Sequence, residues 1–194
     1  MHHAFVISVE LTIWQQLVAI AEGEDDDAEF ARKIRPAGST TIELLVEDSD
    51  EDSNEEPNTD KKSKHDPDAS FRHTNARYPG VIIEVAYSQK RKELAKLAED
   101  YLLDSNANVQ VVVGLDIEYG KKKSRVAAIS TWRTQTFNTD NEGEMRVVQT
   151  MVDEVHPLSQ PNTLILLHLL TISLDLPRRP RQPDNPPRPA PPAP

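Results

Sequence analysis

Residues 81–119 hold the pattern that most restricts the fold. An apolar run, Val81-Ile82-Ile83-Glu84-Val85-Ala86-Tyr87, precedes a charged segment in which Leu94, Leu97, Ala98, Tyr101 and Leu102 recur at helical spacing. A second apolar run follows at 109–119. The recurrence predicts a helix over 90–103 with one apolar face, Ser88 as its N-cap, and Asp104-Ser105-Asn106 breaking it. The second run opens without alternation, as a strand covered on both faces does. Strand, helix and strand in this order predict a parallel pair joined by a right-handed crossover.

Around this unit the chain reads as one domain over 1–176. Residues 10–21 space Leu11, Trp14, Leu17, Val18 and Ala21 as the sheet-facing side of a helix, which Gly23 and an acidic run end. The acidic run, 22–29, reads as a solvated loop. Pro36-Ala37-Gly38-Ser39 signals a turn before a strand at 40–46, and a short strand at 69–72 precedes the Tyr78-Pro79-Gly80 turn. Further strands are predicted at 125–135 and 145–155, and 164–174 fits strand or helix. The fold class is α/β or mixed α+β, a central mixed sheet of about five or six strands flanked by helices. Residues 47–64 are too polar to offset their ordering entropy and read as a disordered insertion. Nine of the fifteen prolines fall after residue 176, so 177–194 reads as an extended, disordered proline-rich tail.

Composition narrows the chemistry. Without cysteine there is neither a disulfide nor a thiolate zinc site. The N-terminus lacks the basic residues and cleavage site of a signal peptide. The apolar run at 164–174 is about half the ~20 residues a membrane span needs. An intracellular protein, in cytoplasm or nucleus and without a membrane partner, is the expectation. The net charge of −10 argues against phosphate binding until its distribution is considered. Residues 61–125 carry thirteen Lys and Arg against nine Asp and Glu, so acidic segments flank a mildly basic centre.

The chemistry-bearing residues lie inside that centre. Glu84 stands alone in an apolar strand, where a buried carboxylate must find a partner or hold its proton. Asp68, behind Pro67, belongs to the preceding strand region and would meet Glu84 across the sheet. Two converging carboxylates suit a hard divalent cation.

Pro67-Asp68, then a strand carrying Glu84-Val85 and ending at Ser88, then a basic helix bearing Tyr101, resembles the PD-(D/E)XK nuclease superfamily. Within it, the pattern is most similar to the Uma-type putative restriction endonucleases. The resemblance spans roughly 40–119. It implies a restriction-endonuclease-like core in the order helix, three strands, helix, strand, and Mg²⁺-dependent hydrolysis of phosphodiester bonds in nucleic acid. Asp68 and Glu84 would be the metal ligands, with a Lys activating the attacking water. The family places that Lys two positions after the Glu, where this chain has Ala86. Lys90 on the following helix is the candidate replacement: it lies about 40° around the helix from Leu94, whereas Lys96 faces the opposite, solvent side. Gln89 is second choice, and Tyr101 could also reach a phosphate.

Each assignment has a plainer counterpart. Pro-Asp is a common turn, Glu84 could pair with Arg72 or Arg77, and Lys90, Arg91 and Lys92 could be a solvated helix start. Tyr101 could be core, and His65 and His73 loop residues. The rival function is a catalytically degenerate nuclease-fold module that binds protein or nucleic acid. The tail also offers Pro183-x-x-Pro186-x-Arg188 to an SH3-type groove.

Overall fold

A computed structural model describes residues 2–45, 62–87, 91–119, 125–139 and 142–157. The elements, in chain order, are α1 (His2–Ala21), α2 (Asp26–Ala31), β1 (Ile34–Pro36), β2 (Ile42–Leu45), β3 (Lys62–His65), β4 (Ala69–His73), β5 (Val81–Tyr87), α3 (Arg91–Asp104), β6 (Val111–Tyr119), β7 (Arg125–Thr139) and β8 (Glu142–Pro157). The protein is mixed α+β, with a central, mostly antiparallel sheet of six strands in the order β1-β4-β5-β6-β7-β8. β2 and β3 form a separate two-stranded ribbon. The predicted parallel pair is present: β5 runs parallel to β6, Val81 beside Val111 through Tyr87 beside Ile117.

Strand alternation sorts the core into two layers. Ile83, Val85, Val111, Val113, Leu115 and Ile117 point to the side covered by Val6 and Val9 of α1. Ile82, Ala86 and Val112 point the other way, onto Leu94, Ala98, Tyr101 and Leu102 of α3 and onto Ile42 and Leu44 of β2. β5 and β6 are thus covered on both faces, which is why their apolar runs lack alternation. The α3 face predicted from Leu94, Ala98, Tyr101 and Leu102 is buried, with Leu97 packed at its margin.

Several expectations need correction. α1 begins eight residues earlier than the periodicity suggests, and it meets the sheet through Phe5, Val6, Val9, Ile13 and Leu17. Leu11 and Val18, expected on that face, are exposed. The helix is apolar around most of its circumference, so spacing alone selects no face. By length and composition alone it is also long and apolar enough to cross a bilayer, unlike the shorter run at 164–174. Part of the acidic run 22–29 is helix rather than loop. Asp25 caps α2 by accepting the Ala28 N–H at 2.8 Å, and Asp26, Asp27 and Glu29 occupy the first turn, where the helix dipole favours negative charge. Residues 62–64, assigned to the insertion, belong to β3, where Lys64 pairs with Glu43 across the ribbon at 2.9 Å. His65 and His73 lie in β3 and β4, not in loops. Pro36, expected in a turn, closes the edge strand β1. The rest of the insertion, the run 164–174 and the tail 177–194 lie outside the described residues.

Candidate active site at the ends of β4 and β5

The β4–β5 ladder pairs Ala69 with Ile83, Ser70 with Ile82 and Phe71 with Val81. One step beyond its end the same register sets Asp68 against Glu84. There the Asp68 carboxylate replaces the missing strand: Oδ2 accepts the Val85 N–H at 2.7 Å. The bond fixes Asp68 and satisfies a backbone donor that would otherwise be orphaned. His2, at the start of α1, sits at the same place, its Nε2 3.4 Å from Asp68 Oδ2 and 3.3 Å from the Val85 carbonyl oxygen.

Glu84 faces α3 from the middle of the sheet and is 8% exposed. Its partner is the Tyr101 hydroxyl, which donates to Oε1 at 2.9 Å, and not Arg72 or Arg77. Loss of solvent pushes the Glu84 carboxyl up to about 7; the Tyr101 hydrogen bond works against this, and the negative charge of Asp68 adds to it. Glu84 therefore lies within electrostatic reach of the Asp68 carboxylate. Burial, followed by the neighbouring carboxylates with Glu84 first, raises the Tyr101 phenol above its ordinary value. Tyr101 is 1% exposed, so it holds Glu84 rather than reaching outward to a phosphate.

Two further residues lie close to the Glu84–Tyr101 pair. Gly114 lies beside Glu84 in the β5–β6 register. A Cβ there would come within 2.8 Å of Trp132 Cζ3 and 3.1 Å of Leu94 Cδ1, so the missing side chain is what lets both pack against the strand next to the carboxylate. His65 places its ring 4.9 Å from that of Tyr101, and its buried Nε2 has no hydrogen-bond partner among the described residues.

Sequence reasoning pointed to Asp68 and Glu84, and the β4–β5 register, carried one step past Ala69 and Ile83, sets the two residues across from one another. It missed His2 and His65, which come from distant parts of the chain and carried no spacing signal. It also missed Asp116, set beside Ala86 in the β5–β6 register and so on the same face as Glu84. Its signal was available: Asp116 is an acid inside an apolar run, as Glu84 is. Lys90, the candidate catalytic lysine, lies outside the described residues, as do Ser88 and Gln89. Lys96 is exposed, as its helical position predicts. Ala86, where the family pattern has Lys, is 3% exposed.

Carboxylate oxygens are the donors a magnesium ion takes. Among the described residues, Tyr101 engages only Oε1 of Glu84, and Val85 and His2 engage only Oδ2 of Asp68. Each carboxylate so keeps one oxygen outside these contacts, and oxygen is the donor type a magnesium ion would take. No trio of His, Asp or Glu among the described residues forms a ready-made metal cage. No protein-family model, curated protein or solved structure matches this chain.

Proposed function

We propose that the protein is a metal-dependent nuclease of the PD-(D/E)XK type, with Asp68 and Glu84 as its cation ligands. The observation that carries this reading is that Asp68, just before β4, stands across from Glu84 in the middle of β5, each anchored through one oxygen. The order of elements supports it. With α2 and the β2–β3 ribbon set aside, the chain runs α1, then β1, β4 and β5, then α3, then β6, which matches the helix, three strands, helix, strand order of that core.

A bound Mg²⁺ would supply positive charge to a phosphate oxygen and lower the pKa of a coordinated water. The chain's part is to present the ligands. The Val85 N–H holds Asp68 in place, and the Tyr101 hydroxyl holds Glu84. His2, when protonated, adds positive charge beside Asp68. Glu84 must lose its proton to bind a cation, so the site opens to metal as pH rises past about 7.

Cleavage of end-labelled single-stranded and duplex DNA and RNA with Mg²⁺ tests the reading. The wild type should cut at least one of them, and Glu84→Gln should lose about a hundredfold or more of that rate. Absence of cleavage on all four substrates, or equal cleavage by the variant, removes it. The second reading, a degenerate module that binds without cutting, is favoured by Ala86 at the position of the family lysine. It predicts that Mg²⁺ leaves the melting temperature unchanged, whereas a live site is stabilised by its ligand.

A further inference from the structure

A concave site lies toward the C-terminal end of β4. A cleft of about 490 Å³ opens between β1, β2 and the segment joining β4 to β5, and Arg35, Arg72, Arg77, Thr40, Thr41 and Tyr78 line it. All three arginines are exposed. In the β1–β4 ladder Arg35 and Arg72 are direct partners, and like charges set opposite one another in an antiparallel pair destabilise it. Nothing in the described structure neutralises them: no carboxylate among the described residues pairs with Arg35, Arg72 or Arg77. Glu43, the acid that lines the cleft, is engaged with Lys64. Two of the guanidiniums are instead held over aromatic rings, Arg35 at 5.7 Å from Trp14 and Arg77 at 5.1 Å from Tyr78. Such contacts orient a guanidinium without using up its charge.

We propose that this cleft binds the phosphate backbone of a nucleic-acid strand, with Arg35, Arg72 and Arg77 as the phosphate contacts. An unneutralised pair of guanidinium forks at fixed strand positions matches phosphate oxygens, which accept two N–H groups at once. The placement ties the cleft to the acid pair. Asp68 immediately precedes β4 and Arg72 is the fourth residue of that strand, so β4 connects the acid pair to the cleft. Thr41, in the cleft wall, donates to Asp66, two residues from Asp68, at 2.6 Å. In this link to cleavage the inference rests on the nuclease reading; the binding does not depend on it.

The test is fluorescence anisotropy of labelled single-stranded DNA and RNA of about twelve nucleotides, in EDTA so that no cleavage intervenes. Titrations run at salt concentrations between about 50 and 200 mM. The wild type should bind with a salt-dependent affinity. Arg35→Gln and Arg72→Gln together should weaken binding about tenfold and flatten the log–log salt slope by about 0.7 per arginine removed. Arg77→Gln should do the same on a smaller scale, and Arg146→Gln on β8 should change nothing. Arg72→Gln should leave the melting temperature equal or higher, because it relieves a like-charge pair; a merely structural arginine would lower it. The proposal is overturned if the wild type binds neither oligonucleotide, or if the substitutions leave affinity and slope intact. It is equally overturned if inorganic polyphosphate or an acidic peptide binds while oligonucleotides do not. Intact binding without cleavage would sink the nuclease reading alone, and cleavage with unaltered binding by the arginine variants would sink the cleft alone.

Discussion

The Tyr101 hydroxyl donates to Glu84 Oε1 at 2.9 Å inside the layer between α3 and the sheet, with both side chains almost wholly withdrawn from water. This bond joins the fold to the chemistry. It links α3 to β5 at the point where a carboxylate interrupts an apolar strand, and it decides which way that carboxylate points.

Removing the hydroxyl should expose its value. Tyr101→Phe leaves a buried carboxyl without its donor, which costs about 1–3 kcal/mol when the acceptor is charged and less when it is neutral. Urea unfolding of the variant should therefore show a larger deficit near about pH 8 than near about pH 5. An equal deficit at both would mean that the bond does not distinguish the two forms of Glu84.

Glu84 itself should make stability depend on pH in an unusual direction for an acid. The folded carboxyl keeps its proton to about 7, against an ordinary value of 4.5 in the unfolded chain. Between those values the folded state binds more protons, so stability falls as pH rises through this window and is greatest below it. The span corresponds to about 3 kcal/mol. Glu84→Gln has no proton to lose, so its stability should overtake that of the wild type as pH climbs. Parallel pH profiles for the two proteins would contradict the assignment.

Asp68 separates structural from metal-binding roles. Asp68→Asn keeps an oxygen for the Val85 N–H but surrenders the negative charge. Its melting temperature without metal should stay close to that of the wild type, while any Mg²⁺-induced rise disappears. Asp68→Ala orphans the backbone donor and should cost about 1–3 kcal/mol even without metal. Identical melting behaviour of Asn and Ala variants would deny Asp68 its backbone role.

Gly114 should resist enlargement. A Cβ at 2.8 Å from Trp132 and 3.1 Å from Leu94 cannot be absorbed without moving two core side chains. Gly114→Ala is expected to cost about 1–3 kcal/mol, read as a lowered urea midpoint. An unchanged midpoint would show that Trp132 yields without strain.

The sequence made the parallel β5–β6 pair and the buried face of α3 legible because burial on both sides, or on one stripe, leaves a periodic mark. It pointed to Glu84 for a related reason, since an acid in an apolar strand is costly and therefore conspicuous, whereas Asp68 was marked only by the Pro67-Asp68 pair ahead of the neighbouring strand. It was blind where local pattern carries no contrast. α1 is apolar nearly all round, so the choice of Val6 and Val9 over Leu11 and Val18 is made by the sheet, not by the helix. α2 hides in an acid run because its acids stabilise a helix start. β1 is three residues long and ends in proline, too short to alternate. His2 and the Arg35–Arg72 pair arise only from tertiary juxtaposition, which no spacing in the chain encodes.

Titration calorimetry with Mn²⁺ near about pH 8, where Glu84 is ionised, tests the central claim most directly. One site in the wild type, abolished in both Asp68→Asn and Glu84→Gln and weakened as pH falls below about 7, is the predicted result. No binding by the wild type, or a site that survives both substitutions, would contradict it.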